Sequence, residues 1–336
     1  MSNKLTVKDL KSAYQRGENI MALFRDAEKQ SDNSPHAIET SYELQAGSYI
    51  DLLQNKVIRD HKKRHGSMLA EVLDGLDGNS ILEAGVGEAT TLVPTVSAMH
   101  RPMQEIYGFD LCWSRVDHAI NFAAGANLPA SFFVGDLTSI PVAENAVDIV
   151  YTYHAVEPNR GREKEILEEL NRIARRYVVL VEPSNVLGSE RTKARIDEHR
   201  YCRDLARHAD ELGLPVVEHR LFDPDTVNDN QPALLVLEAT GNEQGDVKRD
   251  HIFACPDCKS PLHQARGHYF CAQDQLIYPV IDGIPCLRAE KGVLGNSFLA
   301  SPQIGQKPGQ KPGQKISQQV GINPPDQTKP KKFGGF

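Results

Sequence analysis

Residues 81–92 read ILEAGVGEATTL, and no other stretch constrains the chain so tightly. Ile81 and Leu82 begin a short apolar run that passes through Glu83 and Ala84 into Gly85-x-Gly87. That pattern is a buried strand ending in a tight turn that opens a helix. The glycines let a ligand press against bare main chain, and the helix N-terminus offers unpaired N–H groups. A loop of this kind binds a nucleotide-like cofactor at the carboxyl end of a parallel sheet.

The dinucleotide fingerprint asks for a small third residue where Thr90 stands, and no phosphate-binding lysine follows as a P-loop requires. Glu83 would repel a pyrophosphate and suits a cationic ligand. Glu83-x-Gly85-x-Gly87 resembles motif I of the class I S-adenosylmethionine (SAM)-dependent methyltransferases, whose cofactor carries an ammonium and a sulfonium. Two later segments carry the same resemblance. EIYGFDLCWSRVDHAI is a short strand with Asp110 at its tip and Leu111 beside it, where an acid can accept both ribose hydroxyls. SFFVGDLTSIPVAENAVDIVYTYHAVEPN is similar to the family's block around the third and fourth strands. The resemblance places Asp136 at the adenine amino group with the Leu137 backbone alongside, and Asp148 at the start of the fourth strand. It implies a cofactor site of Glu83, Ala84, Gly85, Gly87, Asp110, Leu111, Asp136 and Leu137, occupied by SAM.

Candidate strands are SILEAG, EIYGFD, ASFFVG, DIVYTYH, YVVLVEP, PVVEHRLF and ALLVLEAT, with helices expected between the first five. The alternation argues an α/β fold with a mainly parallel sheet covered on both faces, closed at one edge by an antiparallel pair. The resemblance implies a Rossmann-like seven-stranded methyltransferase sheet over residues 77–245. DEHRYCRDLARHADELGL, ahead of the sixth strand, has the spacing of one amphipathic helix ended by Gly213. Residues 1–76 carry helical spacing throughout and form an N-terminal cap, with a helix start at Ser34-Pro35. In the family such helices fold over the cofactor, which would bring Tyr42 and Tyr49 to the acceptor pocket. The stretch Glu39–Ile50 also resembles bacterial methyltransferases of surface-glycan synthesis.

From about residue 250 the texture changes. Cys255-Pro-Asp-Cys258 has the spacing of a metal knuckle, and Cys271 follows after twelve residues. A zinc ribbon would place its fourth cysteine at 274, which is Asp274. Asp274 is the in-register fourth ligand for Zn2+, with His263, His268 and Cys286 as rivals. YPVIDGIPCL resembles the small zinc-ribbon-like activator domains found beside or fused to methyltransferases, and makes residues 250–292 a small β domain with a structural metal. The chain from 296 to 336, with tandem GQKP units, is too polar to bury a core and is expected to be a disordered tail. It carries six lysines and one acid from residue 297 onward, so tail or ribbon is a candidate for docking a protein partner. Asn323-Pro324-Pro325 mimics an amino-methylation motif but lies far from the fourth strand.

In-line methyl transfer rests mainly on holding donor and acceptor in attack geometry, with a base only where the acceptor proton is hard to lose. Just after the fourth strand stands TYHAVEPN. His154 is the candidate base, its ordinary pKa being near neutral, and Glu157 its orienting acid or a contact for an acceptor amine. Glu182, Ser184, His199 and Tyr201 are further acceptor-side candidates. Cys112 and Cys202 are expected to be buried thiols. No N-P-P-(Y/F) follows the fourth strand, so the acceptor is expected to be a small molecule or a sugar or glycan intermediate. An RNA methyltransferase is the alternative, because a ribbon with this fold resembles the rRNA guanine-N1 enzymes. Against it stand their N-terminal ribbon and the net charge of -7 here. A SAM-binding scaffold is a third reading. No apolar run is long enough to span a membrane, and reduced cysteines without a signal peptide point to the cytoplasm.

Overall fold

Each apolar run bounded by turn residues becomes a strand, and in a computed structural model seven of them form one sheet. Residues 5–225, 229–241 and 251–299 are described by the structure. The GQKP units and Asn323–Pro325 lie outside the described residues.

Five helices come first: α1 (Val7–Gln15), α2 (Ile20–Glu28), α3 (Pro35–Leu44), α4 (Ser48–Leu52) and α5 (Lys56–Asp74). Ser34 and Pro35 do start a helix: the Ser34 hydroxyl accepts the Ala37 N–H, and proline occupies the first turn, where a missing N–H costs nothing. The strands and helices that follow are β1 (Ser80–Ala84), α6 (Leu92–Ala98), β2 (Glu105–Asp110), α7 (Trp113–Gly125), β3 (Ser131–Val134), β4 (Val147–Tyr153), α8 (Glu163–Ile173), β5 (Ala174–Pro183), α9 (Glu190–His199), α10 (Leu205–Glu211), β6 (Val216–Leu221) and β7 (Pro232–Glu238). The sheet order is β3-β2-β1-β4-β5-β7-β6. The first five strands run parallel, and β7 runs antiparallel to both β5 and β6. β1 and β7 are almost wholly buried, as strands covered on both faces must be.

Two expectations need correction. DEHRYCRDLARHADELGL is not one helix. Arg200 and Asp204 take left-handed backbone, which breaks it into the end of α9 and a separate α10. The Arg160 guanidinium secures the break, bonding the Ile196 carbonyl at 2.8 Å and the Tyr201 carbonyl at 2.8 Å. Nor is there a helix between β3 and β4. That crossover, residues 135–146, is a loop.

The C-terminal segment covers what the absent helix would have covered. It contains β8 (Leu262–Ala265), β9 (His268–Cys271), β10 (Leu276–Tyr278), β11 (Val280–Ile281), β12 (Ile284–Pro285) and β13 (Val293–Leu294). β13, β10, β9 and β8 pair antiparallel in that order, and β11 pairs β12 as a hairpin. Leu287 donates its N–H to the Val134 carbonyl at 2.9 Å, so the chain after β12 extends the large sheet past its β3 edge. Ala143 and Ala254 exchange backbone bonds with Ile252 and Pro141 across the crossover loop. The Phe253 ring meets Phe133 edge-on at 5.0 Å, and Phe133 stacks on Phe109 at 5.3 Å. Ile252, Cys255, Leu262, Tyr269, Tyr278 and Leu287 belong to the same buried cluster as Leu82, Phe109 and Phe133. A sheet edge left bare would expose both unpaired backbone and this apolar face.

Phe253→Ala should therefore destabilise the whole methyltransferase sheet, by about 3 kcal/mol. Denaturant unfolding followed by far-UV circular dichroism checks this. A loss confined to the C-terminal segment would contradict the shared core.

Candidate active site

The glycine turn after β1 is set by close contact with the turn after β4. A Cβ on Gly85 would lie 2.3 Å from the Ala155 Cβ, and Gly85 has φ +77°. Gly85 and Val86 donate their N–H groups to the Phe109 carbonyl at 2.9 and 2.8 Å, which locks the turn to the end of β2. Asp110 completes the corner. Its Oδ2 accepts the Gly87 N–H at 2.9 Å and its Oδ1 the Cys112 N–H at 3.0 Å.

A cavity of about 660 Å³ opens here, at the carboxyl ends of the parallel strands. Glu83, Gly85, Gly87, Asp110, Leu111, Asp136 and Leu137 line one side. Ala84 is fully buried beneath it and does not line it. Asp136 is held by the Thr138 N–H at 2.9 Å and the Thr138 hydroxyl at 2.6 Å. Asp148 lies at the opposite end of the sheet, where it accepts the Asn79 and Ser80 N–H groups and pairs with Arg175 at 2.9 Å. Its work is to pin the start of β1.

Glu83 is 1% exposed and accepts the Tyr151 hydroxyl at 2.9 Å. Burial raises its pKa to about 8, against the partial offset of that bond and of Lys62. Lys62, on α5, is itself pushed down by burial; it donates to the Thr91 hydroxyl at 3.2 Å and lies 4.9 Å from the Tyr153 ring centre. A buried carboxyl of this kind accommodates a cation, because an added positive charge returns it to its ionised form.

On the other wall, His154 has left-handed backbone at φ +55°, and its Nδ1 lies 2.8 Å from Glu157 Oε2. Asn230, just ahead of β7, reaches both, donating to Glu157 at 3.1 Å and lying 3.2 Å from His154 Nδ1. Glu182 and Ser184 do not line the cavity. Glu182 is buried and accepts the N–H groups of Ala155, Val156 and Glu157 at 3.0–3.2 Å, and burial raises its pKa to about 7. The Ser184 hydroxyl accepts the Val186 and Leu187 N–H groups. His199 and Tyr201 do line the cavity, stacked on each other at 5.3 Å. Cys112 and Cys202 are buried thiols, raised in pKa by that burial.

The helical cap closes the cavity. Glu88 accepts the Gly47 and Ile50 N–H groups at 2.9 and 2.8 Å, and Glu43 accepts the Ser114 N–H at 3.3 Å. Tyr42 and Tyr49 line the space and hold the Arg115 guanidinium between their rings, at 4.6 and 4.4 Å. Arg288, between β12 and β13, pairs with Glu39 of the cap at 2.6 Å.

Lys62, Arg115 and Asn230 are cavity residues that the sequence motifs do not reveal. A buried group near them also escaped notice. His65 Nε2 lies 3.0 Å from Asp223 and its Nδ1 2.5 Å from the Tyr153 hydroxyl. Burial lowers the His65 pKa to about 4, so the neutral ring donates to Asp223 and accepts from Tyr153. His61 and His65 one turn apart on α5 were the available signal.

In the ribbon, Cys255, Cys258, Cys271 and Asp274 bring their ligand atoms within 4.8 Å of one another. Cys258 and Cys271 sulfurs are 3.5 Å apart, and Cys255 Sγ is 3.2 Å from Asp274 Oδ2. A tetrahedron of ~2.3 Å bonds has edges of about 3.7 Å, so the set fits one ion. The rivals are elsewhere: Cys286 Sγ bonds the Ile284 carbonyl, and His268 Nδ1 accepts the Val280 N–H.

Residues 81–176 match the family described as a methyltransferase domain. The fold and this match define a methyltransferase. UPF0434 proteins of Burkholderia mallei, Burkholderia pseudomallei and Burkholderia thailandensis are 42% identical over 48 residues, 14% of this chain and 71% of each of theirs. Through that stretch the chain belongs to the UPF0434 family. Among solved structures, magnesium protoporphyrin IX methyltransferase of Synechocystis PCC 6803 is 15% identical with a TM-score of 0.49, covering 62% of this chain and 100% of its own. The complex of the Haloferax volcanii Trm112 methyltransferase activator with a putative methyltransferase gives 16% identity and a TM-score of 0.44, over 56% of this chain and 93% of that one.

The raised Glu83 pKa has a stability consequence. The folded state holds this proton between the ordinary value near 4.5 and about 8, so stability falls as pH rises through that window. Glu83→Gln removes the loss and should gain on the order of 3 kcal/mol over the parent at pH 8 relative to pH 5. Thermal unfolding of the ligand-free protein at the two pH values tests it; equal differences would show that Glu83 is ionised throughout.

Proposed function

We propose that the chain transfers the methyl group of SAM to a small-molecule or sugar-intermediate acceptor by in-line displacement. The observation that carries this is one cavity holding the glycine turn, Glu83, Asp110 and Asp136 on one wall and the bonded His154–Glu157 pair on the other. Bare main chain at Gly85 and Gly87, both lining the cavity, suits close approach by a cofactor. SAM supplies an electrophilic methyl group when bound. Glu83 faces its ammonium, Asp110 accepts from the ribose hydroxyls, and Asp136 with the Leu137 backbone meets the adenine. His154 takes the acceptor proton on its free Nε2, with Nδ1 held toward Glu157 and Asn230 so that the ring cannot turn away. The cap residues exclude water and hold the acceptor in line.

The ribbon acts structurally, as a built-in support for the β3 edge. A 48-residue match to UPF0434 proteins is about its length. Cys255, Cys258, Cys271 and Asp274 would hold Zn2+, which there supplies only a crosslink among four short strands. No helix among the described residues is long and apolar enough to cross a membrane.

Labelled methyl from SAM, offered with a size-fractionated cell extract, should appear in small, nuclease-resistant material. Label in large material lost to ribonuclease would establish the RNA reading instead. In the same assay Asp110→Ala should weaken SAM binding about tenfold or more, through loss of two hydrogen bonds to a charged group. His154→Ala should bind SAM normally and slow transfer about 100-fold. Protein purified without chelator should carry about one zinc per chain, and Cys258→Ser should carry much less. Metal-free wild-type protein would remove the zinc assignment.

A further inference from the structure

We propose that Arg25 and Arg195 form an oxyanion subsite in the acceptor half of the cavity, so that the methyl acceptor carries a carboxylate or a phosphate. The inference rests on the methyltransferase reading and specifies the substrate class of that same site. Both arginines line the cavity, yet they come from different elements: Arg25 from α2 of the cap, Arg195 from α9 beyond β5. Among the described residues neither lies within 4.0 Å of a carboxylate. In a chain of net charge -7 that is a costly arrangement unless a ligand supplies the anion.

Each arginine is also held ready. Arg25 Nη1 donates to Asn33 Oδ1 at 2.6 Å. Asn33 is 8% exposed and anchors in turn on the Pro158 carbonyl at 3.1 Å and the His199 carbonyl at 3.5 Å. One side of the Arg25 fork is therefore committed and the rest is left for a ligand. Arg195 lies 5.9 Å from the Tyr201 ring centre, its Nε is buried without a hydrogen-bond partner, and His199 follows it by one turn on the same helix face. Tyr201 and His199 are stacked, and Arg160 fixes the backbone on which they stand. The acids of this half are engaged elsewhere. Glu18 pairs with Arg16 at 2.6 Å, and Glu157 is bonded to His154 and Asn230. Two arginine forks on separate elements of one cavity suit the planar or tetrahedral spread of oxyanion oxygens. An acceptor anchored there has its nucleophile facing the His154 side of the same space, and the cap helix that bears Arg25 is drawn down onto it.

The test is calorimetric titration of the full chain with inorganic phosphate and with benzoate, in the presence and absence of S-adenosylhomocysteine. Saturable binding of either anion to the S-adenosylhomocysteine-loaded protein is expected. Phosphate as the better ligand would indicate a phosphoester acceptor, and benzoate a carboxylic acid. Arg25→Gln and Arg195→Gln should each weaken the anion about tenfold or more while leaving S-adenosylhomocysteine affinity within about twofold. In wild-type protein with 15N-labelled histidine, the His199 ring resonances should shift along the same titration, which serves if either variant folds poorly. Three results would overturn the subsite: no anion binding, binding unchanged in both variants with a silent His199, or an anion displaced by S-adenosylhomocysteine, which would give the arginines to the cofactor's own carboxylate. Failure of S-adenosylhomocysteine to bind while the arginine-dependent anion remains would instead sink the methyltransferase reading.

Discussion

The site depends on one buried carboxylate that touches no ligand space. Glu182, at the end of β5, takes three successive N–H groups of the turn after β4. Those donors would otherwise be orphaned in a dry interior, so the turn has little freedom to relax. With residues 155–157 so held, His154 is forced into left-handed backbone and Ala155 is pressed toward Gly85. The glycine is then required rather than merely permitted. The cofactor loop, the candidate base and its partner Glu157 are in this sense one mechanical unit, built from the carboxyl ends of three neighbouring strands.

The second constraint is the edge of the sheet. A parallel sheet needs cover on both faces, and the crossover from β3 to β4 lacks the helix that would provide it. The C-terminal segment supplies the cover, through Phe253 against Phe133 and backbone bonds to Val134, Pro141 and Ala143. Lys259 adds a bond to Glu169 of α8 at 2.9 Å. The C-terminal segment tied to the sheet in this way also touches the turn after β2 that lines the cavity. Arg288 bonds the Leu111 carbonyl and pairs with Glu39, and so joins the C-terminal segment, the end of β2 and the cap.

The cap is anchored by Leu69 and Leu73 of α5 in the sheet core, and its helices nearest the cavity are fastened by polar contacts. Glu88, the residue after the second glycine, lines the cavity and takes two cap N–H groups. Arg115 sits between two cap tyrosines beside Asp110. Contacts of this type are directional, and they set how these helices close over a polar space.

Much of this was legible in the chain itself. Seven strands, the antiparallel edge pair, the glycine turn and the acids at strand ends follow from local rules, because periodicity and turn chemistry act over a few residues. The Cys255, Cys258, Cys271 and Asp274 cluster was equally readable, since Cys-x-x-Cys and an in-register fourth residue specify a knuckle by spacing alone. What tertiary structure decided was every pairing across distance. Glu182 and Ser184 stand where an acceptor-side residue would be expected, yet they bond backbone, because strand β5 turns them inward. The helix written by the DEHRYCRDLARHADELGL pattern is broken, because Arg160, about forty residues earlier, claims its carbonyls. The missing crossover helix and its replacement by a segment more than one hundred residues downstream leave no trace in the crossover's own composition. Arg25 and Arg195 look like ordinary surface polar residues until folding brings them to one cavity. Sequence alone determined most of the elements and the glycine turn with its acids at strand ends; long-range burial and hydrogen-bond satisfaction decided which polar groups face the cavity, because no local pattern records what a side chain meets across the fold.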